Sequence, residues 1–236
     1  MKLVILAGGF GTRLSEETDH LPKPMVKLGR KPIIWHIMKY YSTFGITDFI
    51  VCGGYKINCL KDFFKKKNNT DKKWNVKVVF TGNKSNTGER VFRVRKYLKS
   101  DFCLTYGDGL SDVNIKKLIF FHKKFKKGVA TLLSIKPIPK YGKIVFNKNL
   151  VKKFYEKDSF REDWINGGFF VCSPKIFEYF KKKNSIFESD VLISLAKNKK
   201  LQGFKHRGFW YCMDTLRDKR HLNDLLKKKQ APWIKW

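Results

Sequence analysis

The first 65 residues alternate twice between a short apolar run and a stretch of helical spacing, and that alternation constrains the architecture most. KLVILAG (2–8) predicts a buried strand. KPIIWHIMKYYSTFG (31–45) places apolar side chains at 33, 34, 37, 38 and 41, one face of a helix that ends at a glycine. DFIVCGGY (48–55) predicts a second strand and KINCLKDFFKKK (56–67) a second helix with a basic outer face. Parallel strands need a crossover between them, so this order argues for a parallel sheet with helices on its faces.

The pattern continues with a strand at 74–82, a helix at 88–100, a strand at 101–109 that ends in an acidic turn, and a helix at 114–127. Strands then dominate, at 130–136, 142–146, 150–157 and 164–173. SPKIFEYFKKK and SDVLISLAKNKK read as helical, and the tail from Gly208 mixes a strand-like entry with a terminal helix. No internal repeat or disordered linker interrupts the chain. At 236 residues and 42% hydrophobic it has enough apolar material for one full core. One α/β domain over residues 1–236, with a more irregular C-terminal third, is expected.

The formal charge of +31 raises the question of a nucleic-acid partner. Two features argue against a specific one. Only nine of the 51 basic residues are arginine, the better planar partner for bases and phosphates. The lysines are also dispersed along the chain, where a binding stripe would be local. The five cysteines (52, 59, 103, 172 and 212) form no CxxC pair and no metal box, which suits a reducing cytoplasm. The apolar N-terminus breaks at Gly8 and Gly9 and reads as a buried strand rather than a signal peptide. No apolar stretch approaches the ~18 residues that would span a bilayer, so no membrane partner is expected.

LAGGFGTRL (6–14) follows the first strand. A dinucleotide fingerprint would need a third glycine where Leu14 stands, and a P-loop would need Lys-Ser or Lys-Thr where Thr12-Arg13 stands. What remains is a glycine-rich strand-to-helix turn. Its bare backbone N–H groups can approach a phosphate or a base edge, and Arg13 can add a fork of donors. A tight turn that needs only positive φ is the plainer alternative. Lys23 lies between Pro22 and Pro24, whose rings stiffen the segment and hold the ammonium in place. In YGDG (106–109), Asp108 ends a strand, a common position for a metal-binding carboxylate in an open α/β sheet. Asp112 is close in sequence, and Asp214 in CMDTLRD is a distant candidate for a second ligand. Glu156 and Lys157 offer a hydrogen-bonding carboxylate and an ammonium, and Asn166-Gly167-Gly168 an amide and bare backbone. The five histidines show no ligand spacing, and Ser, Cys and His form no nucleophile arrangement.

In this order LAGGFGTRL, PKPM, YGDG, EK, NGG and a late aspartate resemble the sugar-1-phosphate nucleotidyltransferases. The likeness extends over nearly the whole chain. LSEET (14–18), residues 31–56, CLTYGDG (103–109), INGGFFV (165–171) and residues 208–222 with APW (231–233) are similar to the branch that joins CTP to glucose 1-phosphate. That branch makes a precursor of CDP-linked deoxysugars for bacterial surface polysaccharides. The resemblance implies a Rossmann-like three-layer α/β sandwich with a mixed, mainly parallel central sheet. It implies a nucleotide half over about 1–112 and a sugar-phosphate half over about 113–236. By the same resemblance, Leu6, Ala7, Gly8, Gly9, Phe10, Gly11, Thr12, Arg13, Lys23, Ser85, Arg90 and Gly107 would bind the nucleotide. Asp108 and Asp214 would hold Mg²⁺, and Glu156, Lys157, Asn166 and Gly167 would receive the sugar phosphate. Arg13, Lys23 and Asp108 would carry the catalysis. A cytoplasmic homo-oligomer is expected. The chain departs from the family at a shortened segment over 64–75, at Asp158 after Glu156-Lys157, at Glu89 in place of a second glycine, and at His206-Arg207.

Overall fold

The computed structural model describes residues 1–137, 142–156 and 163–236, without the side chains of Arg13, Ser15, Glu16 and Lys67. Strand β1 (Lys2–Ala7) leads through the glycine loop into a one-turn helix α1 (Ser15–Thr18) and a short hairpin, β2 (Lys27–Leu28) with β3 (Lys31–Pro32). Alternating units follow: α2 (Ile33–Ser42), β4 (Asp48–Gly53), α3 (Ile57–Lys65), β5 (Asn75–Phe80), α4 (Thr87–Arg93) and β6 (Phe102–Tyr106). Next come β7 (Gly109–Ser111), α5 (Ile115–Lys124), β8 (Ala130–Ile135) and a hairpin of β9 (Lys143–Asn147) and β10 (Leu150–Tyr155). The last elements are β11 (Ile165–Cys172), α6 (Ile193–Lys197), β12 (Leu201–His206), β13 (Trp210–Cys212) and α7 (Leu216–Lys227).

Seven strands form one sheet in the order β12-β8-β11-β6-β1-β4-β5. β1 pairs in parallel with β4 and β6, β4 with β5, and β8 with β12. Only β11 is antiparallel to its neighbours β6 and β8. The sheet is mixed and mainly parallel, as expected, and its strands come from both ends of the sequence.

The three layers follow from the alternation of side chains along β1. Leu3, Ile5 and Ala7 point to one face and join a core with Ile34, Ile37 and Tyr41 of α2, Leu118 of α5, Leu222 of α7 and Trp233. Val4 and Leu6 point to the other, where Val91, Val94, Phe170, Phe187 and Leu195 pack. Most of these side chains are fully buried, each worth about 1.5–3 kcal/mol of transfer free energy. Among the described residues no helix is long and apolar enough to cross a membrane.

Four local expectations change. The helix expected over 88–100 ends at Arg93, and a 3₁₀ turn follows at Arg95–Tyr97. SPKIFEYFKKK holds a 3₁₀ helix over Pro174–Tyr179, and SDVLISLAKNKK begins inside a π-helix, Phe187–Leu192, that runs into α6. The strand expected over 101–109 breaks after Tyr106, which frees Asp108 for a turn. Strand β12 was not expected, because LQGFKH has no apolar run: it is the edge of the sheet and none of its side chains is fully buried.

Candidate active site

The carboxyl ends of parallel strands β1, β4, β5 and β6 open on one side of the sheet, where open α/β folds place ligands. A cavity of about 490 Å³ lies there. Residues 6–9, 11 and 12 line it from the first loop, Ser85, Asn86, Thr87 and Arg90 from the start of α4, and Tyr106, Gly107 and Asp108 from the end of β6. Lys23, Cys212 and Asp214 complete the wall. Stretches separated by nearly the whole chain therefore meet. Phe10 is the exception in its loop: it is absent from the lining and packs on Tyr55, with ring centroids 5.2 Å apart.

Backbone geometry in the loop requires two of the glycines. Gly11 has φ +70°, and a Cβ there would lie 3.0 Å from Thr18 Cγ2 and 3.1 Å from Lys23 Cβ. Any other residue would be strained in that conformation and would push Lys23. At Gly8 a Cβ would lie 2.1 Å from Arg90 Nη1, so the guanidinium occupies the space a side chain would need.

Arg90 is buried, and its terminal nitrogens are engaged by the protein. Nη2 donates to the carbonyls of Gly8 (2.8 Å) and Asn83 (3.3 Å). Nη1 donates to the carbonyls of Gly82 (2.7 Å) and Gly53 (3.4 Å) and to Thr81 Oγ1 (2.9 Å). The side chain thus ties the ends of β1, β4 and β5 together at the cavity wall.

Three backbone devices converge on the opposite side. Lys23 opens a 3₁₀ turn framed by Pro22, with the Met25 N–H donating to the Pro22 carbonyl at 2.7 Å. Asp108 sits between β6 and β7, and its carbonyl accepts from the Met213 N–H at 3.0 Å. Asp214 precedes α7, whose capping box pairs Thr215 with Asp218. Asp218 Oδ2 also accepts from the Asp214 N–H at 3.0 Å, so the cap fixes the backbone that carries Asp214. As a result Lys23 Nζ donates to Asp108 Oδ2 at 2.7 Å and to Asp214 Oδ1 at 2.6 Å. Burial opposes the Lys23 charge, but the charge of Asp108 and hydrogen bonds to both carboxylates outweigh it, and the lysine is held above its usual range. Cys212 lies with the two aspartates, its ligating atom within 4.8 Å of theirs. Burial, and then the charges of Asp108 and Asp214, push its thiol up and keep it neutral.

Asp112 does not join this group. It hydrogen-bonds His206 Nε2 at 2.8 Å, which leaves Asp214 as the second carboxylate of the cluster. Glu89 is also outside the lining. Its carboxylate accepts from Arg93 Nε at 2.8 Å and from the Asn184 N–H at 3.1 Å, and the Arg93 hydrogen bond lowers its pKa.

Of the residues expected at the sugar phosphate, Lys157 lies outside the described residues, as does the Arg13 side chain on the nucleotide side. Glu156 is exposed just after β10. Asn166 and Gly167 sit on β11, one step behind the cavity. Asn166 Nδ2 donates to the Tyr106 hydroxyl at 3.3 Å, its Oδ1 accepts from the Gly168 N–H at 2.8 Å, and the Gly167 carbonyl accepts from Trp210 Nε1 at 2.6 Å.

Glu188 has no motif around it and was not expected from the sequence. Glu188 rises from the π-helix and accepts from Thr87 Oγ1 at 2.7 Å and from the Tyr106 hydroxyl. Burial and the Glu188 charge push Tyr106 well above its usual range, so that hydroxyl remains a donor. A continuous chain therefore runs from Thr87 in the cavity through Glu188 and Tyr106 to Asn166. Glu188→Ala is expected to cost about 2 kcal/mol of stability, because two hydroxyls lose their acceptor. A urea titration measures this, and an unchanged midpoint would remove Glu188 from the framework.

Two carboxylates and an ammonium converging beside bare backbone N–H groups form a set that suits phosphates and a hard cation. Residues 2–225 match the family model described as nucleotidyl transferase. The glucose-1-phosphate cytidylyltransferase of Salmonella typhimurium is 44% identical over 257 aligned positions that take in all of both chains. The mannose-1-phosphate guanyltransferase of Schizosaccharomyces pombe is 30% identical over 94% of this chain and 62% of its own. Among solved structures, the UDP-glucose pyrophosphorylase of Acinetobacter baumannii has the same fold, with TM-score 0.74 at 16% identity over 98% of this chain and 95% of that one. With its glycine loop, Lys23 turn and paired aspartates in one cavity, the chain belongs to the nucleotidyl transferase family.

Proposed function

We propose that the protein transfers a cytidylyl group from CTP to α-D-glucose 1-phosphate, giving CDP-glucose and pyrophosphate. The observation that carries this reading is the convergence of Lys23, Asp108 and Asp214 on the glycine-loop cavity, in a chain similar over its full length to a glucose-1-phosphate cytidylyltransferase. A phosphate oxygen of the sugar phosphate attacks the α-phosphorus of CTP, and pyrophosphate leaves in line. The attacking group is already an anion, so no protein nucleophile is needed; what the chain must do is bring two polyanions together.

Residues 6–12, Ser85 and Gly107 place the nucleotide, and Arg13 reaches its phosphates. Arg90 acts by holding the loop, since its donors are engaged with carbonyls. Lys23 turns its ammonium from the carboxylates to the α-phosphate. Glu156, Lys157, Asn166 and Gly167 take the sugar phosphate, with Trp210 holding the Gly167 turn. Asp108 and Asp214 would hold Mg²⁺, which supplies charge neutralisation to the phosphates. The donor set fits a hard cation: the two carboxylates face one point, marked by the Lys23 ammonium, and the Cys212 thiol beside them is a soft donor that a hard cation does not favour. Residues 1–112 serve as the nucleotide half and 113–236 as the sugar-phosphate half of one domain.

To test the sugar, CTP is offered with glucose 1-phosphate, mannose 1-phosphate and galactose 1-phosphate, and the products are weighed by mass spectrometry. CDP-glucose as the dominant product is expected; a dominant CDP-hexose from another sugar would move the chain to a sister branch.

Five cysteines without a disulfide support a cytoplasmic location, where the product would feed CDP-deoxysugar, O-antigen and lipopolysaccharide synthesis. A homo-oligomer is supported by one face of the β9–β10 hairpin. Cross-strand pairs Ile144 with Phe154 and Phe146 with Val151 lie there, 44–62% exposed, and a second copy of the chain would cover them. Phe146→Glu with Phe154→Glu is expected to lower the molar mass in light scattering to that of one chain. An unchanged mass would place the interface elsewhere.

A further inference from the structure

The cavity accounts for Arg90 but not for two other arginines close behind it. Arginine is scarce in this chain, yet three of the nine (90, 93 and 95) fall within six positions. Beyond the end of α4, Arg93, Arg95, Lys96 and Lys99 line a second hollow of about 450 Å³. Leu98, Pro174 and Phe177 form its apolar part, and no carboxylate lines it. None of these residues lines the first cavity.

Compensation within the hollow is sparse. Arg93 has Glu89 as a partner. Arg95 donates to the Phe92 carbonyl at 3.1 Å and lies over the Phe92 ring, 4.0 Å from its centroid. Lys96 lies over the Tyr97 ring, 5.2 Å from its centroid. No carboxylate pairs with Arg95, Lys96 or Lys99 among the described residues. Elsewhere basic runs such as 65–67, 181–183 and 227–229 are made of lysine alone. Here Arg95, Lys96 and Lys99 line one hollow with no carboxylate partner among the described residues, beside the Glu89-paired Arg93, and such a concentration of positive charge draws in an anion. The guanidinium fork selects phosphate oxygens among anions. Phe177 is held in a stack on Phe102, with ring centroids 6.1 Å apart and planes 9° apart, and it is half-buried at the hollow. That combination fits a small molecule with phosphate at one end and a ring or sugar edge at the other.

We infer that this hollow is a second anion site, separate from the catalytic cavity, that binds a small phosphate-bearing molecule. The test is calorimetric titration of the whole protein with CTP, and separately with inorganic pyrophosphate, in about 150 mM KCl, where exposed long-range charge is largely screened. Two sites per chain are expected. Arg95→Glu with Lys99→Glu should lose one site and keep kcat and KM within about twofold. Lys23→Ala should weaken the other site and retain this one. Should the double variant not fold, Lys96→Glu alone is expected to weaken the same site. Equal binding of both probes would make the ligand a free polyphosphate, and binding of CTP alone would make it a phosphate ester whose ring meets Phe177. One site per chain, unaltered by these substitutions, would overturn the inference. So would a second site that disappears at this salt concentration, because the attraction would then be bulk lysine charge.

Discussion

Asp108→Asn is expected to lower kcat by about two to three orders of magnitude while leaving the fold intact. Lys23 Nζ is held between two carboxylates, 2.7 Å from Asp108 and 2.6 Å from Asp214. Asn has the shape of Asp but not its charge, and Lys23 keeps Asp214 as a partner at 2.6 Å, so the turn after β6 has no reason to move. The backbone of that turn is pinned independently by the Met213 N–H on the Asp108 carbonyl. What is lost is one of two negative charges that suit a hard cation. Turnover at saturating substrate, with circular dichroism as the fold control, measures the effect. Near-normal kcat with a normal spectrum would remove Asp108 from the chemistry.

Arg90→Ala is the second large effect, and its main readout is stability. The guanidinium satisfies four carbonyls and a hydroxyl at the ends of three strands. Removing it takes the side-chain donor from the Gly82 and Asn83 carbonyls, weakens the tie on Gly8, Gly53 and Thr81, and opens a gap beside Gly8. A loss on the order of 3–5 kcal/mol is expected, together with a higher KM for CTP because the glycine loop loses its tie. In a chain of this size that corresponds to roughly 10 °C in melting temperature. Arg90→Lys should recover little, since one ammonium cannot span carbonyls on both sides of the fork. A melting temperature unchanged in both variants would show that the loop is held by other contacts.

Much of the fold was legible because the central strands are buried on both faces. Such strands appear in the sequence as apolar runs, and the helices between them carry a periodic stripe. Edge strand β12 and the π-helix were not legible, since half-exposed strands and register changes in a helix leave no such pattern. The cavity was legible where a residue type is needed for backbone reasons: glycines at 8 and 11, and the prolines around Lys23. It was not legible where function depends on long-range partners. Nothing near Glu188 signals that Thr87 and Tyr106 share its carboxylate. Nothing near Arg90 signals that carbonyls occupy its fork. The residues alone left both Asp112 and Asp214 open, the resemblance selected Asp214, and the fold pairs Asp112 with His206 and Asp214 with Lys23.

Pyrophosphate release reads the nucleotide preference of the cavity. Glucose 1-phosphate and Mg²⁺ are held fixed while CTP, UTP, dTTP and GTP are compared in parallel. CTP is expected to be preferred by at least about 100-fold in kcat/KM. Equal or faster release with any of the other three would contradict the cytidylyl assignment.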